Sequence, residues 1–244
     1  MSQPIVCANP SAPPRPQGGS GARVIVAPKF CAPYPVDLKF TKSMDGNFII
    51  KDGEGNVLFK MSTPIRGLMT FHVKRIIWDT SGTPVLTLRR KNMSMHDRWQ
   101  VFSGKSSKQR DLLYTVKRTS MVQLSAKLEV FLAHNTEEEI CDFIIVGTWS
   151  DRSCAVYSSE SPDPIAEMRQ KRRVMSVLFG THNYIVRVHP NADYAFIASL
   201  VLILDYILWT AIDTMHFATM VALHHVTPGV PTLTSIVIPA IIPE

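Results

Sequence analysis

A mainly β fold, its sheet closed around one apolar helix, is what this sequence predicts, and three observations predict it. Short runs of alternating apolar and polar residues, punctuated by turn residues, recur from residue 24 to residue 189. No stretch before Asn191 shows a sustained helical period. Residues 194–205 then read Tyr-Ala-Phe-Ile-Ala-Ser-Leu-Val-Leu-Ile-Leu-Asp, with no Pro, Gly or charge before the last position. A helix apolar on every side has to be enclosed, by protein or by lipid. Closing the sheet around it removes the exposed rod and the open sheet edges together.

The elements follow in order. Residues 1–23 carry Pro13-Pro14-Arg15-Pro16 and Gly18-Gly19-Ser20-Gly21, too little apolar surface to offset ordering, and are expected to be disordered. The barrel domain is expected over 24–213. Strands are predicted at 36–41, 48–51 and 57–61, the last two joined by Asp52-Gly53-Glu54-Gly55-Asn56, whose glycines supply the positive φ of a hairpin. A second such pair, 71–78 and 83–88, flanks Asp79-Thr80-Ser81-Gly82. Further strands are predicted at 98–102, 112–117, 127–133, 143–147, 155–157, 165–168 and 184–188.

The helix is expected near 192–212, with Asn191 and Asp193 as N-cap types. Phe196, Ile197, Leu200, Val201 and Leu204 are its expected barrel-core residues. The alternative is a bilayer span of a tail-anchored protein, since 194–212 approaches the ~20 apolar residues required. Against it, Asp205 would cost about 2.5–3.5 kcal/mol at mid-membrane, and no basic flank follows. Residues 214–244 hold no Lys or Arg and include Pro228, Pro231, Pro239 and Pro243, so an atypical, poorly ordered apolar tail is expected there.

At 244 residues the chain suits one large domain or two small ones. Lys plus Arg total 26 and Asp plus Glu 20, a net +6. That excess fits weak attraction to an anionic membrane or nucleic acid, though it is equally common without either. Cys7, Cys31, Cys141 and Cys154 form no Cys-x-x-Cys pair and are too few for a disulfide framework. With no signal peptide, they predict a reducing intracellular setting: cytoplasm, plasma-membrane periphery or nucleus.

Asp52 to Asn56 spaces oxygen ligands closely but lacks the closing glutamate of a calcium loop, and a hairpin turn accounts for it better. The eight histidines fall in no zinc spacing, and no Gly-x-Ser-x-Gly elbow is present. No catalytic residue, metal or cofactor is expected. Basic residues cluster at Lys74-Arg75, at Arg89-Arg90-Lys91, at Lys105 with Lys108 and Arg110, at Lys117-Arg118, and from Arg169 to Arg173. Over 85–91, alternation puts Leu86 and Leu88 on one face and Arg89 and Lys91 on the other, wet one. Such residues serve as the solvated outer wall of a barrel. They also suit docking on phosphoinositide or phosphatidylserine headgroups, each contributing about 1 kcal/mol, with Lys74, Arg75, Arg89, Arg90 and Lys91 the candidates. Nucleic acid is not expected, for there is no recognition helix, zinc module or aromatic-basic RNA motif.

Several runs resemble the plant LURP-one-related family. They are Phe48-Ile49-Ile50-Lys51-Asp52-Gly53-Glu54-Gly55-Asn56-Val57-Leu58-Phe59-Lys60, Gly82 to Lys91, Arg98-Trp99-Gln100-Val101-Phe102, Cys141-Asp142-Phe143 with Arg152-Ser153-Cys154, Ile165-Ala166-Glu167-Met168, and Pro190 to Ile197. The resemblance implies a tubby-like closed barrel of about twelve antiparallel strands around a central C-terminal helix. It further implies kinship of shape with tubby proteins and phospholipid scramblases, and a setting in plant defence. It carries over no catalytic residue. The expected function is a monomeric, non-enzymatic module that binds phospholipid or a protein partner, with scramblase-like lipid transfer as an alternative. Members of the family end soon after the equivalent of Ile203-Leu204-Asp205, whereas this chain continues, so an altered C-terminus such as intron read-through is expected. Sequencing the transcript across Asp205 tests that.

Overall fold

The alternating runs become twelve strands: β1 Val36–Lys42, β2 Phe48–Lys51, β3 Val57–Ser62, β4 Lys74–Asp79, β5 Pro84–Arg90, β6 Trp99–Ser103, β7 Leu112–Val122, β8 Ser125–Leu132, β9 Phe143–Thr148, β10 Ser153–Ser158, β11 Pro164–Arg169 and β12 Asn183–Val188. The computed structural model describes residues 23–43, 46–62, 74–91, 97–122, 125–148, 153–169 and 183–207. All belong to the first of two units, Met1–Leu208 and Trp209–Glu244. The expected disordered segment (but for residue 23), the end of the expected helix and the expected tail lie outside the described residues.

Each strand pairs antiparallel with the next, and β1 pairs with β12, so the sheet closes into a barrel. The seam is in register from Val36↔Val188 to Thr41↔Asn183. Period-2 alternation then fixes what faces inward. Leu38 and Phe40 of β1, Phe48 and Ile50 of β2, and Phe59 and Met61 of β3 are all at most 1% exposed. The turns carry their own chemistry. Asp52 Oδ1 accepts the N–H groups of Glu54, Gly55 and Asn56 at 2.9, 2.7 and 2.8 Å. Asp79 Oδ1 accepts those of Ser81 and Thr83 at 3.0 and 2.9 Å. Gly55 (φ 101°) and Gly82 (φ 78°) take the left-handed backbone that each turn requires. Side-chain hydrogen bonds, from Asn56 and from Ser81, are the first cause holding these two carboxyls below their ordinary pKa. The calcium-like spacing is thus a hairpin turn.

Helix α1, described over 194–207, runs inside the barrel. Phe196, Ile197, Leu200, Val201 and Leu204 are at most 2% exposed, each fully buried side chain of this kind contributing about 1.5–3 kcal/mol before entropy. The rod is sheathed by the chain's own strands. Among the described residues no helix is long and apolar enough to cross a membrane, so the tail-anchor alternative has no support.

Three polar residues hold α1: Asp193, Ser199 and Asp205, spaced six apart. At about 100° per residue they point in three directions roughly 120° apart. Asp193, the N-cap, accepts the N–H groups of Ala195 and Phe196, both at 3.1 Å, through Oδ1. Its Oδ2 accepts those of Ile25, Val26 and Ala27 at 3.1, 2.7 and 3.3 Å. These bonds tie the segment before β1 across that end of the barrel. Burial outweighs the five N–H bonds and pushes the Asp193 carboxyl above its ordinary pKa. Ser199 hydrogen-bonds the hydroxyl of Tyr114 on β7, and burial holds that phenol far above its usual range. Asp205 accepts Lys42 Nζ of β1 at 2.7 Å. The helix is keyed in both rotation and depth.

Helix and wall approach closely at Gly147 on β9, where a Cβ would run into the Leu204 side chain. Gly147→Ala is expected to cost about 1–3 kcal/mol in urea denaturation. A double variant with Leu204→Ala should lose less than the two single losses summed, because the truncated side chain removes the clash. Strict additivity would refute the contact. Cys31 and Cys154 are free thiols, and burial pushes that of Cys154 up to about 12. Cys141 is disulfide-bonded, which the expectation of a reducing setting did not anticipate.

Candidate functional site

Because strands alternate in direction, the barrel has two rims. One surrounds the start of α1 and carries the Asp52 and Asp79 turns. The other surrounds its end, near Asp205 and Tyr206, and five predicted basic residues gather there on two different faces. In β4, alternation sets Arg75 with Ile77 on the inside and Lys74 on the outside. Arg75 is 9% exposed, its Cζ 4.6 Å from the centroid of the Tyr206 ring. It therefore does not share the outer face of Lys74, since two consecutive strand residues cannot share one face. Arg90 likewise leaves the outer face of Arg89 and Lys91. It follows Leu86 and Leu88 in inward parity, reaches the rim, and donates from Nε to Asp97 Oδ1 at 2.5 Å.

Lys74, Arg89 and Lys91 remain on the outside. Lys74 stands directly opposite Arg89 in the β4–β5 register. Arg89 Nη2 donates to Gln100 Oε1 at 2.6 Å, and its Cζ lies 4.9 Å from the Phe102 ring centroid. Lys91 is exposed. Among the described residues no carboxylate forms an ion pair with any of the three. Like charges directly opposed across a sheet destabilise it, by the tenths of a kcal/mol that opposite charges contribute. Elsewhere the wall is complementary: Arg187 meets Asp37 through two bonds of 2.7 and 2.9 Å, and Lys117 pairs in register with Glu129. Lys39 opposite Lys51 is a second like-charged pair, but Lys39 Nζ turns away to donate to the Gly53 carbonyl.

Lys42, Asp97 and Tyr206 of this rim were missed by sequence reasoning, and Arg118, named with Lys117 as a basic cluster, was left out of the candidate set. Parity would have found two, since Lys42 continues Leu38 and Phe40, and Arg118 continues Tyr114 and Val116. Arg118 Nη1 lies 3.7 Å from Asp97 Oδ2. Tyr206 packs edge-on against Trp99 with ring centroids 5.1 Å apart. Nothing in the sequence marks Asp97, whose backbone is left-handed at φ 47°. The structure separates other predicted clusters. Lys105, Lys108 and Arg110 sit between β6 and β7 at the opposite rim, and 171–173 lie outside the described residues.

The comparisons with known proteins agree with this architecture. The family model described as LURP-one-related matches residues 36–205, from the first residue of β1 to the aspartate that pairs with Lys42. Protein LURP-one-related 15 of Arabidopsis thaliana is 55% identical over 214 residues, 84% of this chain and 96% of that protein. Protein LURP1 of the same plant is 53% identical over 185 residues, 74% of this chain and 88% of that protein. A crystal structure of an Arabidopsis thaliana protein shares 50% identity at a TM-score of 0.60, covering 75% of this chain and 98% of that one. With the family's span running from the opening strand through the enclosed helix, the chain belongs to the LURP-one-related family.

Proposed function

We propose that this chain is a non-enzymatic binding module that docks on the anionic face of a membrane through the rim at the end of α1. One observation carries the reading: Lys74 and Arg89 face each other across β4 and β5, Lys91 lies beside them, and no described carboxylate pairs with any of the three. Opposed like charges cost the sheet stability, whereas they suit a surface of anionic headgroups. The barrel interior is occupied by α1, so a ligand meets the outside of the wall or a rim. Tethering at a membrane would also be the physical form of the plant-defence role that the family resemblance implies.

Vesicle flotation tests the reading. The protein is expected to float with phosphatidylcholine vesicles that contain a phosphoinositide and to stay at the bottom with phosphatidylcholine alone. Lys74→Gln with Arg89→Gln should weaken flotation, since each basic residue contributes about 1 kcal/mol near an anionic surface. Raising the salt should do the same by screening. Equal flotation with neutral and anionic vesicles would remove the electrostatic basis.

A further inference from the structure

On the outer wall of the barrel, one row of side chains reads straight across β1 to β5. Thr41 pairs with Ile49, Ile49 with Lys60, Lys60 with Trp78, and Trp78 with Pro84. Partners in register share a face, and Lys60 is exposed, so Trp78 points out of the barrel with it. Ile49 is 40% exposed although it sits mid-strand. Trp78 and Ile76, its neighbour on the same face, are half-buried, yet neither packs against the core. Ile49 and Trp78 stand two strands apart, about 10 Å, with the Lys60 stem between them.

Cations bracket that row. Lys39 stands opposite Lys51 on one side of it, and Lys74 opposite Arg89 on the other. Both like-charged pairs of the barrel register, among the described residues, thus fall on this wall. At outward positions of β1 to β5 the described carboxylate is Asp37 alone, and Arg187 holds it by two bonds of 2.7 and 2.9 Å. The carboxylates of Asp52 and Asp79, beyond the wall at the rim where α1 begins, fold back onto N–H groups of their own turns.

We propose that the outer face of β1 to β4 lies on an anionic membrane, with Ile49 and Trp78 entering the boundary between headgroups and acyl chains while Lys39, Lys51, Lys60 and Lys74 meet phosphates. A second copy would set these cations against their own kind across a two-fold axis. Interfaces between proteins favour Trp but are depleted in Lys. A bilayer surface takes both: Trp sits at headgroup level, and lysine stems lie along apolar surface while their ammonium groups reach phosphate. Charge brings the wall down, and the apolar pair holds it there. The inference rests on the membrane-docking reading above. It extends the contact from the rim at Lys74 and Arg89 along the wall, so that the barrel lies on its side.

The test uses the full chain and phosphatidylcholine vesicles that contain a phosphoinositide, with binding read by flotation. Ile49→Glu sets a carboxylate opposite Lys60, an arrangement that stabilises a sheet, so the fold is expected to persist. Its binding should fall about tenfold or more, from lost apolar burial and added repulsion together. Ile49→Thr keeps the β-branch and adds no charge, and should bind about three- to tenfold more weakly. Lys127→Gln, at an outward position of β8, six strands from β2 either way round the barrel, should bind as wild type does. Bromine on the phosphatidylcholine acyl chains just below the headgroups should quench the tryptophan fluorescence of bound wild type, and Trp78→Phe should lose most of that quenching.

Ile49→Glu floating as wild type does overturns the wall contact while leaving docking through the rim intact. Ile49→Thr binding undiminished, or Trp78→Phe quenched as strongly as wild type, overturns the entry of that row into the bilayer. A wild-type dimer in sedimentation that Ile49→Glu dissociates gives the face to a second copy and overturns the membrane as its occupant. Lys127→Gln weakening as much as Ile49→Glu overturns the choice of wall. No flotation of wild type with the anionic vesicles removes the docking reading, and the wall contact with it.

Discussion

Replacing Leu200 with glutamate is expected to abolish cooperative folding. Leu200 is 0% exposed on α1, inside the barrel and away from the rims. The new carboxylate would have no cation to meet, and an unpaired buried ion costs several kcal/mol even after relaxation. A domain of this kind has about 5–15 kcal/mol in total. Leu200→Ala is the graded companion, expected to cost about 2–5 kcal/mol through lost contacts and the cavity left behind. Urea denaturation followed by circular dichroism reads both. A glutamate variant that melts as wild type does would mean the rod is not enclosed.

Asp193→Ala should be the most damaging truncation outside the apolar core. One side chain satisfies five backbone N–H groups, two in the first turn of α1 and three in the strap at 25–27. Loss of an N-cap costs about 0.5–2 kcal/mol, and each buried donor left unmade adds about 1–3 kcal/mol where water cannot reach it. A loss of roughly 3–5 kcal/mol is expected, with faster tryptic cleavage at Lys29 as the strap loosens. Asp193→Asn keeps one carbonyl oxygen to accept, and burial already drives this carboxyl towards its neutral form. It should therefore recover part of the loss. A stability within 1 kcal/mol of wild type for the alanine variant would show that the strap is held some other way.

All twelve strands were legible because alternation and turn chemistry are local. Asp52 and Asp79 write their hairpins within five residues, so the pattern needs no distant partner. The enclosed helix was legible for the opposite reason: 194–204 has no polar stripe, and only a sheath makes that tolerable. The rim was read less well. Lys74-Arg75 and Arg89-Arg90-Lys91 read in sequence as one basic surface, although the pleat divides each run between the two faces. Alternation read through each run sets Arg75 and Arg90 on the opposite face from Lys74, Arg89 and Lys91. Asp97 could not be read at all. Its part depends on β5 and β7 arriving beside it, and neither lies within its local sequence. The Asp193 clasp was half visible, since an N-cap is a local signal while its hold on residues 25–27 spans more than 160 positions.

The pairing of first strand with last also bears on how the protein is made. Asp37 and Arg187 are bonded across 150 positions of sequence. The cylinder cannot shut until nearly all of the family's span has left the ribosome, and the helix that fills it comes later still. A nascent chain therefore carries successive unshielded strands, each with an edge able to pair wrongly, for as long as synthesis continues. Spontaneous refolding should fall at the slow, millisecond-to-second end for single domains, as non-local topologies do.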